Sequence, residues 1–241
     1  MPSSPSSKQY HFLAGVRDTF PLLVGALPFG LIYGALGIAS GLSPLATAAM
    51  SLVVFAGSAQ FIAVSLVAIQ TPVLVIALTT LVVNARHMLY SATLAPKLKG
   101  LGLRWLLPLG FWLTDESFVV AAKGFEERAT LEDRKWYLLG SELAMYTNWF
   151  AATSLGILAG QAIEDPASWG LDFALVVTFL GMLVPMVKDR PELLAVVVAG
   201  VTAVLANGLP HRAGLLLAAV LGILAGVLAE RVWPPQKASQ P

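Results

Sequence analysis

The chain has 241 residues, of which 57% are hydrophobic and only 12% are charged, and its formal net charge is +1. Soluble domains carry about 25% charged residues, so this composition excludes a soluble enzyme and indicates a membrane protein. The small net charge gives no reason to expect nucleic acid as a partner. The absence of cysteine removes disulfides, thiolate zinc sites and thiol nucleophiles.

The segment 19–85 contains no Asp, Glu, Lys, Arg or His. At about 20 residues per membrane crossing, this segment alone holds about three spans. Helices satisfy their own backbone hydrogen bonds inside a bilayer. We therefore predict an all-α, polytopic transmembrane helical bundle that lies in the lipid bilayer.

The polar residues, glycines and prolines that separate the apolar segments predict a polar N-terminal tail (1–18), a transmembrane transporter domain (19–233) and a polar C-terminal tail (234–241). Eight spans are predicted, near 20–40, 44–69, 72–94, 105–122, 136–160, 170–187, 192–208 and 213–232. A second span that is re-entrant, as two half-helices broken at Gly57, would reduce the count to seven.

Two predicted spans are interrupted near mid-depth. The first is interrupted at Pro28, Phe29 and Gly30. Proline lacks the backbone N–H that a helix hydrogen bond needs, and glycine permits non-helical backbone. In the second, Gly57, Ser58 and Gln60 stand in an otherwise apolar segment. Non-helical backbone at this depth must be buried in protein or line a cavity, so we predict that these six residues bind substrate. The alternative is a proline kink and close helix packing.

Charged residues inside spans are costly and therefore informative. Arg86 and His87 lie late in the third predicted span, and Asp115 and Glu116 lie within the fourth. Because the two spans form a hairpin centred near residue 100, we expect Arg86 and the acidic pair at one depth. The net charge of −1 predicts a proton-coupling cluster, and the alternative is a structural ion pair.

Helical spacing extends this cluster. Asn84 shares a helix face with His87, and Tyr90 shares a face with Arg86; both are predicted to bind substrate. Glu142, near the start of the fifth span, is predicted to be interfacial. On the last span, Gly222 and Gly226 belong to a small-residue stripe that favours close helix contact. That contact is internal or with a partner, and we predict a partner interface.

The Lys and Arg counts on alternate sides predict the orientation. Ten cations fall on the side of the two tails and the 123–135 and 188–191 loops, and four fall on the other side, namely Lys97, Lys99, Arg104 and Arg212. Both termini are therefore predicted to be cytoplasmic.

Several segments resemble, in the same order, the AzlC-type branched-chain amino acid exporter family, the large subunit of a two-component exporter. These segments are Arg17-Asp18 with Pro21-Leu22, Pro28-Phe29-Gly30, the 55–61 stretch, 84–91 running to Ala95-Pro96, and 113–118. The resemblance covers nearly the whole chain and is most specific in the first 120 residues.

The resemblance implies a bacterial inner-membrane subunit that exports branched-chain amino acids, and in some members methionine. It also implies a small, hydrophobic AzlD-type membrane subunit as a partner. The family's substrate-binding residues are not carried over, so the site predictions above rest on the physical argument.

Three classes of function fit these observations. The leading one is a secondary transporter, an antiporter and not an enzyme, that needs no cofactor or metal; no phosphate-binding loop indicates ATP hydrolysis. The second is a non-catalytic membrane assembly subunit, if the charged hairpin is structural. The third is an intramembrane hydrolase using Ser58 and His87, which lacks a G-x-S-x-G setting.

Overall fold

The computed structural model describes residues 8–162, 180, 183–184, 187–209 and 213–234, and the regular structure in these residues is helical. The helices are α1 (Lys8–Ala39), α2 (Pro44–Val53), α3 (Gly57–Ala68), α4 (Val73–Asn84), α5 (Arg86–Leu94), α6 (Leu103–Trp112), α7 (Asp115–Gly124), α8 (Leu131–Ala162), α9 (Arg190–Leu205) and α10 (Ala213–Val232). Among these described residues, the segments Lys8–Ala39 and Val73–Leu98 are long and apolar enough to cross a membrane. The predicted all-α class is confirmed for the residues that the structure describes. The sixth predicted span, 170–187, lies almost entirely outside the described residues.

Helix α1 is continuous for 32 residues and begins inside the predicted polar tail. The predicted interruption at Pro28-Phe29-Gly30 is therefore wrong. Pro21 and Pro28 are seven residues apart, so both lie on one face of the helix, and both are exposed. The opposite face packs against α8. This packing stabilises the helix although each proline removes one backbone hydrogen bond.

Helices α1 and α8 run parallel, and small residues allow their backbones to touch. Gly15 lies against the backbone of Tyr137 and Ser141, and Gly34 lies against the backbone of Thr153 further along both helices. The hydroxyl of Thr19 donates to Ser141 Oγ across the interface at 2.7 Å. At 1.5 Å per residue each helix is about 48 Å long, which exceeds the thickness of the hydrocarbon core.

We expect Gly156→Ala to destabilise this interface. A Cβ at Gly156 would lie 2.9 Å from the carbonyl carbon of Leu31 and closer still to its oxygen. Backbone atoms cannot move aside as the end of a flexible side chain can, so the substitution should lower the free energy of unfolding by about 1–3 kcal/mol. The measurement is the midpoint of thermal unfolding in detergent, which should fall. The matched control is Gly110→Ala, where a Cβ meets nothing within 4 Å. Equal midpoints for the two variants would contradict the tight α1–α8 packing.

Helices α2 and α3 form a re-entrant hairpin. Ser51 on α2 contacts Thr153 on α8 at 2.9 Å, and Gln60 on α3 returns to donate to Ser51 Oγ at 2.9 Å. The chain reverses over Val54–Ala56, where Phe55 has a φ of +40°, a conformation that costs a non-glycine residue energy. The second predicted span is thus the re-entrant alternative, and it turns back just before Gly57.

The segment from α4 through α5 crosses the bundle in the opposite direction to α1. The helix breaks at Ala85, where α4 ends and α5 begins. Past α5, the side chain of Lys97 hydrogen-bonds Glu126, and Arg134 donates to the backbone oxygen of Lys97 at 3.3 Å. The end of this segment therefore lies beside the start of α8. The hydrogen bond from Lys97 also holds the pKa of the exposed Glu126 carboxyl below its usual value.

Helices α6 and α7 form a second re-entrant hairpin, which enters from the end where α8 begins. Trp105 at the start of α6 packs on Trp136, with ring centroids 5.4 Å apart, whereas Trp112 at its end packs on Tyr146. The chain then reverses at Leu113-Thr114, and α7 returns until Gly124 lies against the ring of Tyr137. The fourth predicted span is therefore wrong as a crossing, because its polar Thr-Asp-Glu tip stops at mid-depth.

The second hairpin corrects the orientation argument. Of the ten Lys and Arg residues between positions 8 and 162, all but Arg86 belong to the end where α1 and α8 begin, which we call the basic end. The connections 40–43 and 69–72 at the opposite, neutral end carry no charge. The prediction that Lys97, Lys99 and Arg104 face the other side is wrong, and the charge asymmetry is stronger than predicted.

Helices α9 and α10 pack as an antiparallel pair through the small-residue stripe. A Cβ at Gly222 would lie 2.8 Å from the Cβ of Ala199, and one at Gly226 would lie 3.2 Å from the Cβ of Ala195. These two glycines therefore make an internal helix contact. This result corrects the predicted partner interface, because the close approach that glycine permits is already used within the chain.

Candidate functional site

The tips of the two re-entrant hairpins meet at a cavity of about 290 Å³. Five segments contribute walls: one face of α1, the α2–α3 tip, the start of α5, the start of α7 and the middle of α8. The lining residues are Pro21, Leu22, Gly25, Ala26, Phe29, Phe55, Ala56, Gly57, Ser58, Phe61, Arg86, His87, Thr114, Asp115, Glu116, Met145 and Trp149. The cavity is mainly apolar, with its charged groups gathered on α5 and α7.

An ion pair joins two of these walls. Arg86 Nη1 lies 2.7 Å from Asp115 Oδ2, and Arg86 Nη2 donates to Ser58 Oγ at 3.0 Å. This contact confirms the prediction that Arg86 and Asp115 meet at one depth. One guanidinium thus links the α2–α3 tip, α5 and the α6–α7 tip.

The ion pair leaves two polar atoms unused. Arg86 Nε and Asp115 Oδ1 are buried and have no hydrogen-bond partner among the described residues. Buried polar groups normally find partners, and the residues that carry these two atoms both line the cavity. Glu116 adds a second carboxyl group to the same wall.

The two hairpin tips present helix N-termini with opposite character. Helix α3 begins at Gly57 after Ala56, with no side chain capping it, so its first N–H groups remain available to an anion. Helix α7 is capped reciprocally by Thr114 and Ser117, and Asp115 and Glu116 occupy its first turn. The α3 end of the cavity therefore favours a negative group, and the α7 end favours a positive one.

The apolar wall is held by a buried hydrogen-bond network. Trp149 stacks on Tyr33 and donates from Nε1 to Gln60 Oε1 at 3.0 Å. Gln60 is fully buried and donates in turn to Ser51. Gln60 therefore does not line the cavity as predicted, because both ends of its amide are used to position the indole of Trp149.

The other predicted substrate-binding residues divide into two groups. Phe29, Gly57 and Ser58 line the cavity as expected. Pro28, Gly30, Asn84 and Tyr90 are not among its lining residues. Gly30 packs on Ala152, and the ring of Tyr90 stacks on that of Phe118 with centroids 4.5 Å apart. These two residues, which were predicted to bind substrate, therefore pack against neighbouring helices.

All four residues of the predicted charged cluster line the cavity. The predicted hydrolase dyad of Ser58 and His87 is not formed among the described contacts. Ser58 Oγ accepts from Arg86, and His87 Nδ1 lies 3.1 Å from the backbone oxygen of Asn84. A serine nucleophile needs a base within hydrogen-bond reach, and here both side chains are engaged elsewhere.

Sequence reasoning missed the contribution of α8. Met145 and Trp149 line the cavity, yet as apolar residues in a predicted span they carry no signal of their own. Glu142, which was predicted to be interfacial, is 0% exposed, and that prediction is wrong. The helices packed on α8 enclose this side chain.

Comparison with known proteins finds a match to the AzlC protein family over residues 21–163. The chain is 33% identical over 187 residues to an uncharacterised membrane protein of Archaeoglobus fulgidus, covering 76% of this chain and 80% of that one. It is 26% identical to inner membrane protein YgaZ of Escherichia coli, covering 93% and 89%. It is 30% identical to the branched-chain amino acid transport protein AzlC of Bacillus subtilis, covering 70% and 65%. No solved structure matches significantly.

Proposed function

The chain is a membrane protein that belongs to the AzlC family, and from this premise we propose that it is a secondary active transporter for branched-chain amino acids. It exports these substrates, with methionine as a further candidate substrate, from the cytoplasm across the bacterial inner membrane. The name of the Bacillus subtilis relative supports the substrate class, and the name of the Escherichia coli relative supports the location.

The observation that carries this proposal is the charged wall of the cavity, where Arg86 pairs with Asp115 at 2.7 Å beside Glu116 and the uncapped start of α3. An α-amino acid is the complementary ligand, because it carries a carboxylate and an ammonium group on one carbon. The carboxylate binds Arg86 and the uncapped start of α3, and the ammonium binds the acidic start of α7. The apolar side chain of the substrate then packs against Phe29, Met145 and Trp149.

The two hairpins supply a route to alternating access. The pair formed by α1 and the α2–α3 hairpin runs opposite in direction to the pair formed by α4–α5 and the α6–α7 hairpin. Transporters built from oppositely oriented units bind substrate where broken helices meet, and rocking one unit against the other opens each side in turn. Here, displacement of the α6–α7 hairpin opens the cavity toward the basic end, and displacement of α2–α3 opens it toward the neutral end.

The charge asymmetry supports an orientation. Positive residues accumulate on the cytoplasmic side of bacterial membrane proteins. The basic end, and the N-terminus with it, is therefore proposed to be cytoplasmic, as is the C-terminus. A small AzlD-type membrane subunit is proposed as the partner on the strength of the family resemblance, without Gly222 and Gly226 as its contact.

The proposal is tested by counterflow in proteoliposomes, with unlabelled leucine inside and labelled leucine outside, with and without the small subunit. We expect uptake of label above that of empty vesicles, competed by valine and isoleucine. Isopentylamine and 4-methylpentanoate, which lack the carboxylate and the ammonium respectively, should compete at least tenfold more weakly, because each leaves either Arg86 or the acidic start of α7 without its partner. Absence of counterflow in both preparations would favour the assembly-subunit alternative.

Proton coupling is proposed from the charge balance of the cavity. Asp115 and Glu116 carry one negative charge more than Arg86 compensates, and an uncompensated charge is costly at this depth. A proton or the substrate ammonium neutralises the surplus, and alternation between the two gives antiport. Glu116→Gln is expected to abolish export driven by a pH gradient while counterflow persists. Full gradient-driven export by this variant would remove Glu116 from the coupling role.

A further inference from the structure

A second buried carboxyl group lies outside the cavity. Glu142 on α8 is 0% exposed, and neither of its carboxyl oxygens has a hydrogen-bond partner among the described residues. Nearly all buried side-chain polar atoms are partnered, and an isolated carboxylate in such a place is strongly disfavoured relative to the neutral acid. The group is therefore neutral in this conformation and holds a proton.

The position of Glu142 relates it directly to the cavity. At 100° per residue, Glu142 lies on the same face of α8 as Met145 and Trp149, which line the cavity one and two turns further along. One turn in the other direction, Leu138 belongs to the apolar cluster beneath the cavity, together with Leu109 and Val120. Glu142 thus interrupts the apolar layer that separates the cavity from the basic end.

The helices packed on α8 place charged groups above and below Glu142. At the cavity lie Asp115 and Glu116, at the start of α7. Toward the basic end, Tyr137 donates to Asp18 at 2.8 Å and the guanidinium of Arg128 lies 3.5 Å over the ring of Tyr137. The remaining charged or imidazole groups on the segments packed against α8 are Lys8, His11 and Arg17 on α1, Lys97 on the turn that follows α5, Arg104 on α6 and Lys123 on α7, and α2 has none.

We propose that Glu142 is a proton-relay site between the cavity and the basic end. The inference rests on the proposed function, because it needs a transported substrate. When the α6–α7 hairpin moves from α8, the Glu142 carboxyl gives its proton to water at the basic end. The resulting carboxylate then accepts a proton from the cavity through water, which restores the neutral form. Each cycle moves one proton toward the basic end, opposite to the exported amino acid.

The test measures leucine counterflow and leucine-driven proton movement in the same proteoliposomes, the latter with an entrapped pH-sensitive dye. Glu142→Gln keeps the size of the side chain and carries no exchangeable acid. We expect its leucine-driven proton flux to fall at least tenfold while counterflow is retained. The matched control is Glu126→Gln, an exposed carboxyl at the basic end, which should leave both rates unchanged.

A second variant separates the relay from a structural role. Glu142→Met buries no polar atom, so we expect its midpoint of thermal unfolding to equal or exceed that of the wild type while the proton flux is lost. This measurement decides the matter if Glu142→Gln fails to fold. Wild-type proton flux in either variant, or no leucine-driven proton flux in the wild-type protein, would overturn the relay. Loss of counterflow in the wild type would instead reject the transport function.

Discussion

Arg86→Ala is expected to lower leucine counterflow at least tenfold. The guanidinium contacts Asp115 Oδ2 at 2.7 Å and Ser58 Oγ at 3.0 Å, so its removal leaves carboxylate charge uncompensated at mid-depth and deletes the proposed anchor for the substrate carboxylate. Breaking a buried pair costs about 3–5 kcal/mol, and partial exposure of both side chains reduces this value. A tenfold loss corresponds to about 1.4 kcal/mol.

A charge-swapped variant distinguishes pairing from a loss of folding. Arg86→Asp combined with Asp115→Arg should recover part of the membrane expression that either single change loses, because the pair is re-formed with reversed polarity. Counterflow should stay low, since the positive group no longer lies beside the start of α3. Wild-type counterflow by Arg86→Ala would refute the assignment of Arg86 to substrate binding.

Gly57→Leu is expected to abolish counterflow without loss of membrane-inserted protein. A Cβ at Gly57 would lie 3.0 Å from the indole of Trp149, so the rest of a leucine side chain must enter the cavity. Leucine favours membrane insertion, and expression should therefore be maintained. The matched control is Gly110→Leu on an exposed face of α6, where a Cβ meets nothing within 4 Å.

The outcome of this comparison depends on transport and expression together. Equal transport by Gly57→Leu and the control would mean that substrate does not occupy this part of the cavity. Loss of protein in Gly57→Leu alone would mean that Gly57 is needed for the hairpin to form, and its role would then be packing.

Much of the candidate site could be predicted from the sequence, because charged residues inside a membrane are costly and therefore rare. Arg86 and Asp115 stood out as charged residues in apolar segments, and their equal distances from the 95–104 connection predicted the ion pair. The apolar wall carried no such signal. Met145 and Trp149 are ordinary residues for a membrane helix, and only the packing of α8 against the hairpins places them at the cavity.

The sequence by itself determined the helical class, the membrane environment and the charged pair, since hydropathy and the cost of buried charge act on each segment separately. Only the tertiary structure decided which segments with helix-breaking residues stay helical and which reverse direction. Proline at position 28 did not interrupt α1, because α8 supports the opposite face, whereas Leu113-Thr114 reversed the chain where the polar start of α7 meets Arg86. Breaks, re-entry and the internal use of Gly222 depend on contacts between distant segments, and these contacts are absent from any local pattern.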